Sequence, residues 1–222
     1  MTNGWQAGID IGGTFTDVVA LDPLSGEVRA AKVETRIDDR VAGLVDALAA
    51  VGLAWADVGD LIHGTTMVTN AIVEDDLARV ALVATEGFAD SLAIGRQNRL
   101  HLYRLDPPPK IEPQAPAERR FEVAERLDHE GAVVLPLEAG AIDAVIAELE
   151  ASNIEAVAVS LLHAYANPAH EEELGRRLGK KFPFVALSNR VNPEAREYER
   201  TATTALSASV MPLAAGYLDR LE

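Results

Sequence analysis

The chain opens with apolar and polar positions alternating at the two-residue period of half-buried strands. Residues 6–11 form a short apolar run ending in Gly12-Gly13. Residues 16–21 form a second run, and residues 27–34 a third after the turn cluster Asp22-Pro23-Leu24-Ser25-Gly26. The pattern predicts a β-meander ahead of any helix. The period then changes: Val41, Leu44, Val45 and Leu48 recur at helical spacing, with Asp38 as the expected N-cap and Gly52 past the end. Residues 60–63 read as a short strand, residues 65–73 as the opening of a helix and residues 79–84 as a buried strand.

Pro107, Pro108, Pro109, Pro113 and Pro116 mark residues 105–116 as a stiff, extended surface segment. Residues 120–127 and 132–135 predict a hairpin around residues 128–131, and Ile142, Val145, Ile146 and Leu149 an amphipathic helix. Residues 156–162 are the strongest buried-strand signal. Asn167-Pro168 opens a helix with Glu171, Glu172 and Glu173 in its first turn, where the helix dipole favours acids. Residues 184–187 read as one more strand. A long final helix is expected from Asn192-Pro193 onward, kinked by Pro212. Strands alternating with helices after a three-stranded meander predict an α/β fold with a mixed sheet.

Composition narrows the function classes. The chain has 222 residues, 48% hydrophobic, with 35 acidic against 20 basic side chains and a formal net charge of −15. That is a globular composition with no basic footprint for nucleic acid or for an anionic membrane surface. The absence of cysteine excludes disulfides, thiolate catalysis and cysteine-ligated metals. No Lys or Arg precedes Arg29, and Asp10 and Asp17 stand where a signal peptide is apolar, so a cytoplasmic location is expected.

The sharpest chemical signal is Gly8-Ile9-Asp10-Ile11-Gly12-Gly13-Thr14-Phe15-Thr16-Asp17. Its glycines sit between two strands, so it is neither a dinucleotide fingerprint nor a Walker A loop. Such a turn lets the backbone approach a phosphate closely, Thr14 and Thr16 add hydroxyl donors, and Asp10 at the strand end suits a hydrated Mg²⁺. No lysine adjoins the loop in sequence, which leaves charge neutralisation to a metal. Thr65 and Thr66 open a helix, either as a second anion-facing corner or, for Thr65, simply as its cap. His63 and His163 read as hydrogen-bonded histidines rather than bases, and the His163–His170 spacing does not make a zinc site. Arg96, Gln97 and Arg99 suit an anionic substrate or a solvated charged loop equally. Arg196, Glu197, Glu199 and Arg200 are expected as ion pairs on a helix surface.

The Asp-x-Gly-Gly-Thr-x-Thr-Asp pattern resembles the first phosphate loop of the actin, sugar-kinase and heat-shock ATPase superfamily. Four further blocks extend the likeness: His63-Gly64-Thr65-Thr66-Met67-Val68-Thr69-Asn70-Ala71, Gly87-Phe88-Ala89-Asp90, Ile94-Gly95-Arg96-Gln97-Asn98-Arg99 and Leu162-His163-Ala164-Tyr165-Ala166-Asn167-Pro168. With Arg196-Glu197-Tyr198-Glu199-Arg200-Thr201 they make the chain resemble, nearly end to end, the N-terminal domain of the hydantoinase/oxoprolinase family.

The resemblance implies a ribonuclease H-like, actin-like ATPase lobe over residues 1–190, with residues 191–222 a helix leading toward a second lobe. It implies ATP with Mg²⁺ or Mn²⁺, held by Gly12, Gly13, Thr14, Thr16, Asp17 and Thr65. Asp10 would lie at the metal and act with Thr66 in catalysis, while Asn70, Arg96 and Gln97 would face substrate. The implied activity is ATP-dependent hydrolysis of a cyclic amide C–N bond, of hydantoinase or 5-oxoprolinase type. The alternatives are an ATP-consuming subunit of an acetone or acetophenone carboxylase-like complex and a non-catalytic assembly module. The implied partners are a second actin-like lobe, a hydantoinase B-type subunit and a small cyclic amide or ketone. No second Asp-x-Gly-Gly-Thr occurs in the chain, so it is expected to hold half of an ATP site and to turn over little ATP alone.

Overall fold

The computed structural model describes residues 4–98, 103–106 and 110–221; Arg99 and Pro107, Pro108 and Pro109, singled out above, lie outside the described residues. The opening alternation becomes three antiparallel strands, β1 (Trp5–Ile11), β2 (Phe15–Leu21) and β3 (Val28–Glu34). A fourth, β4 (Val58–Thr65), runs parallel to β1, giving a mixed sheet in the order β3-β2-β1-β4. A parallel neighbour needs a crossover, and α1 (Arg40–Ala50) supplies it. Leu44, Ala47 and Leu48 of α1 meet Ala7, Ile9, Ile11, Val18 and Ala20 on one face of the sheet. The N-cap of α1 is Asp39 and not Asp38: its side chain accepts from the Ala42 N–H, the N3 donor an N-cap side chain serves. The other face leaves Val19, Leu21 and Ile62 exposed. With α2 (Met67–Glu74), these elements belong to a unit of Met1–Asp76 and Leu213–Glu222.

The second unit, Leu77–Pro212, holds an all-parallel sheet in the order β10-β9-β5-β6. Its strands are β5 (Val80–Thr85), β6 (Arg120–Val123), β9 (Ala156–Ser160) and β10 (Val185–Leu187), with a one-turn helix, α3 (Ser91–Ile94), between β5 and β6. Every residue of β5 and β9 is buried. Both faces are covered, which is why these strands read as unbroken apolar runs. Ala81, Val83, Val157 and Val159 face α4 (Ala139–Glu150) and α5 (Ala169–Leu178). Val80, Leu82, Ala156 and Ala158 face Ala205 and Ala208 of α7 (Glu197–Leu221).

Two elements depart from expectation. The run at residues 120–127 is not one arm of a hairpin. Its first half is β6 beside β5, and only β7 (Arg126–Leu127) pairs with β8 (Val133–Leu135). The chain turns between them at Glu125, whose buried carboxylate is bound by Thr85 and His170, a long-range demand that no local pattern reports. The final helix starts at Glu197 and not at Asn192-Pro193. A one-turn helix, α6 (Ser188–Val191), and the bend after it occupy those positions. Pro212 lies inside α7 and lacks the N–H that the Ala208 carbonyl would accept. One residue further, the Ser209 carbonyl accepts from Ala78 N at 3.0 Å.

The α5 acids separate by environment. Glu172 and Glu173 pair with Arg190 and Arg176 at the surface, whereas Glu171 is fully buried. The Glu171 carboxylate accepts from Leu161 N (2.8 Å), Ser188 Oγ (2.6 Å) and Asn189 N (2.8 Å), joining β9, α5 and α6. Arg200, expected on the helix surface, is buried beside it, 3.9 Å from Glu171 Oε1 and donating to the Leu161 carbonyl and Ser188 Oγ. Burial pushes the Glu171 carboxyl above the usual range against those hydrogen bonds, and pulls the Arg200 guanidinium down. Glu171→Ala leaves a buried cation and two N–H donors uncompensated, so it is expected to cost about 3–5 kcal/mol, read as a lowered urea midpoint. Glu172→Ala, at an exposed pair, is expected to cost under about 1 kcal/mol.

Candidate functional site

The turn between β1 and β2 is held from below by threonine hydroxyls. Thr35 Oγ1 donates to the Gly12 carbonyl at 3.0 Å and lies 3.0 Å from Thr16 Oγ1, while Thr35 N donates to the Thr14 carbonyl at 2.9 Å. Thr16 is 1% exposed, so its hydroxyl serves the turn from the core side. Gly12, Gly13 and Thr14 carry the outward surface. A Cβ on Gly12 would stand 2.9 Å from the Phe15 carbonyl oxygen, and one on Gly13 would stand 3.1 Å from Asn70 Nδ2. Backbone and an amide side chain thus occupy the space a larger residue needs, which is the physical reason for two adjacent glycines here.

The parallel pairing of β1 with β4 brings the second corner to this turn. Ile11 lies opposite Thr65, and Thr66 N donates to the Ile11 carbonyl at 3.2 Å. The Thr65 hydroxyl accepts from Met67 N at 3.1 Å, so it is committed to opening α2. Thr66 occupies the N-cap position without a side-chain cap, and its Oγ1 is 3.4 Å from Asn70 Nδ2. Gly12, Gly13, Thr65, Thr66 and Asn70 therefore converge at one edge of the mixed sheet.

Asp10 and Asp17 face each other across β1 and β2 on the exposed face. Among the described residues the Asp10 carboxylate has no hydrogen-bond or ion-pair partner. Asp17 pairs with Lys32 Nζ at 2.6 Å, because register sets Lys32 of β3 directly opposite Asp17. The expectation that no lysine stands near the loop is thus corrected: the lysine comes from two strands away, where only register shows it. One unpartnered carboxylate beside a glycine turn fits a hydrated Mg²⁺ or Mn²⁺ whose other oxygen ligands are water and phosphate. The described residues hold no cluster of three metal-ligating side chains, so no all-protein metal cage competes with this one.

Arg96 and Gln97 belong to the second unit, where Arg96 Nε donates to Glu199 Oε1 at 2.7 Å and its guanidinium lies over the Tyr198 ring. Gln97 takes a left-handed backbone (φ 56°). His63 is hydrogen-bonded at both nitrogens, Nδ1 to the Ile9 carbonyl at 3.3 Å and Nε2 to the Tyr217 hydroxyl. His163 also holds a left-handed backbone (φ 59°) and meets Tyr165 Oη through Nδ1 at 3.4 Å. Sequence reasoning missed the buried chain Thr85–Glu125–His170, in which His170 Nδ1 lies 2.7 Å from Glu125 Oε2. Its members are 85, 125 and 170 in sequence, and no local pattern links them.

A family profile described as the hydantoinase/oxoprolinase N-terminal region matches residues 6–182. An uncharacterized protein of Methanocaldococcus jannaschii is 37% identical over 98% of the chain. The caprolactamase subunit alpha of Pseudomonas jessenii is 32% identical over 98% of it. The crystal structure of the ATP-dependent caprolactamase from that organism superposes on 97% of the chain with a TM-score of 0.81. A nucleotide-free acetone carboxylase structure superposes on all of it, with a TM-score of 0.80 and 26% identity. The chain spans about a third of the length of each of these relatives: 33%, 33% and 34%.

Burial, then the Arg126 and Arg200 guanidiniums, hold the His163 imidazole below its ordinary value of about 6.5. The unfolded chain therefore takes up this proton first as pH falls. His163 contributes stability that is present above about pH 6.5 and lost as pH drops through its lower folded value. Denaturant titrations from pH 7.5 to 5 are expected to show a smaller loss of stability in His163→Asn, since asparagine tolerates the left-handed backbone.

Proposed function

The chain belongs to the hydantoinase/oxoprolinase family, and on that premise we propose that it is the N-terminal ATP-phosphate-binding lobe of an ATP-dependent cyclic-amide hydrolase. The observation that carries this reading is the convergence of the Gly12-Gly13 turn, the Asp10 carboxylate and the Thr65–Thr66–Asn70 corner at one sheet edge. Gly12 and Gly13 let the phosphates approach the backbone, and the exposed Thr14 hydroxyl donates to a phosphate oxygen. The Thr66 hydroxyl and the N–H groups of Val68 and Thr69 in the first turn of α2 face the same anion, the Thr66 and Met67 N–H groups being held by Ile11 and Thr65. Asp10 would hold a hydrated Mg²⁺, which would supply charge neutralisation for the transferred group. Asp17, bound by Lys32, keeps that cation beside the loop. Thr16 acts from beneath, fixing the turn through Thr35.

Transfer of the γ-phosphoryl group to the amide oxygen, with ADP leaving, turns a resonance-stabilised carbonyl into a centre that water attacks. Such a step depends on positioning and charge stabilisation more than on a protein nucleophile. Asn70 is the substrate-facing residue at the turn, and Arg96 and Gln97 are substrate contacts of the second unit. In this reading residues 1–190 are the lobe and residues 191–222 the helix toward a second actin-like lobe that completes the ATP site, with a hydantoinase B-type subunit as partner. No helix among the described residues is long and apolar enough to cross a membrane, and a cytoplasmic enzyme is the reading that accords with the cysteine-free, acidic composition. The match to acetone carboxylase supports a second reading, in which the phosphorylated oxygen is that of a ketone.

In the assembled enzyme, Asp10→Ala and Gly12→Ala are each expected to lower substrate-dependent phosphate release by about 100-fold or more. Release is measured with hydantoin, 5-oxoproline, caprolactam and acetone. Unchanged turnover in Asp10→Ala overturns the catalytic reading in favour of an assembly module. Stimulation by acetone alone selects the ketone. Calorimetry of residues 1–222 by themselves with Mg²⁺–ATP is expected to show affinity weaker than millimolar, since in this reading the second lobe supplies the rest of the site.

A further inference from the structure

We propose that Tyr217 is a positioning residue for the phosphate corner, acting through His63 on the paired ends of β1 and β4; this rests on the nucleotide reading above. The geometry orders the hydrogen bonds of the pair for a neutral ring. His63 Nδ1 lies 3.3 Å from the Ile9 carbonyl oxygen, which only accepts, so Nδ1 carries the proton and donates. In the neutral ring Nε2 then accepts, and the Tyr217 hydroxyl donates to it. Tyr217 is 3% exposed, and burial raises its phenol, which keeps the donor proton in place. The two rings are in contact, with centroids 5.6 Å apart. The helix segment bearing Tyr217 is anchored one turn further on by Leu221, which packs against the core of the mixed sheet.

The position of this clamp gives it a role beyond packing. His63 sits opposite Ile9, one ladder step from the Asp10–Gly64 pair and two from Ile11–Thr65. Those steps carry the Asp10 carboxylate, the Thr66 N–H to Ile11 carbonyl bond and the start of the glycine turn. A parallel ladder fixes its strands' lateral spacing, while their axial slip at a free end is resisted by few bonds. His63, bonded to β1 on one side and to helix α7 on the other, resists that slip two residues before the corner. Tyr217 thereby holds the distance between the Gly12-Gly13 turn and Thr66 without touching nucleotide.

The test uses the full chain with ¹⁵N-labelled histidine and backbone amides, and Mg²⁺–ATP as the probe. In the wild type His63 is expected as a single Nδ1–H tautomer. Tyr217→Phe keeps the ring but removes the donor. The Ile9 carbonyl keeps the proton on Nδ1, and the variant is expected to shift the His63 Nε2 resonance, to shift the Gly12, Gly13 and Thr66 amides, and to weaken Mg²⁺–ATP binding in the assembled enzyme by about three- to tenfold. Leu221→Ala loosens the same helix segment without removing a hydrogen bond. It is expected to lower the melting temperature while leaving tautomer and loop amides in place. Unmoved loop amides in Tyr217→Phe overturn the proposal. So do identical amide shifts in both variants, which mean simple helix docking. No response to Mg²⁺–ATP in the assembled wild-type enzyme counts against the nucleotide reading instead, and the loop amides of the chain still decide the role of Tyr217.

Discussion

Strand β1 is hydrogen-bonded along both edges, antiparallel to β2 and parallel to β4, and the chemistry of the chain hangs on that double commitment. The antiparallel edge creates the tight Gly12-Gly13 return, and the parallel edge delivers a helix N-terminus to the same end. Neither alone makes an anion site: a glycine hairpin lacks directed charge, and a lone helix start is an incomplete cradle. Joined at one strand end, they put backbone donors, a carboxylate and a lysine within a few ladder steps. The threonine pair Thr16–Thr35 then holds the turn from the core side, so the outward face is free for a ligand.

The second unit meets a different constraint. A sheet buried on both faces has no solvent to satisfy the loops that leave it, so polar groups must travel inward with them. Glu171 and Arg200 do this for the loops after β9 and β10, and Glu125 does it for the bend between β6 and β7. Their charges are matched by local donors and acceptors, more by hydrogen bonds than by close ion pairing, as the 3.9 Å separation of Arg200 and Glu171 shows.

Local periodicity made most of the elements legible: the run at residues 16–21 is strand β2, and Leu44 and Leu48 do face the core. The glycine turn was legible because its residue types are chemically odd for a structural hairpin. What escaped was whatever depends on register or on distant pairing. Lys32 stands fifteen positions after Asp17 and reaches it only across a ladder; the partner of His63 is 154 residues away. Arg200 looked like a surface charge because helical spacing says which residues share a face, not which face is buried. The early end of β6 at Val123 has the same cause, since the buried Glu125 carboxylate with its partners Thr85 and His170 follows it directly.

The uncovered face of the mixed sheet gives the acidic charge a colloidal meaning. Val19, Leu21 and Ile62 stand exposed there, and any two copies meeting on that face would remove apolar area from water. A net charge of −15 on each copy opposes the encounter at long range. The repulsion is an ionic-strength-dependent quantity, whereas the apolar attraction is not weakened by salt. Dispersion of this chain in solution is therefore held by its electrostatics against its own sheet.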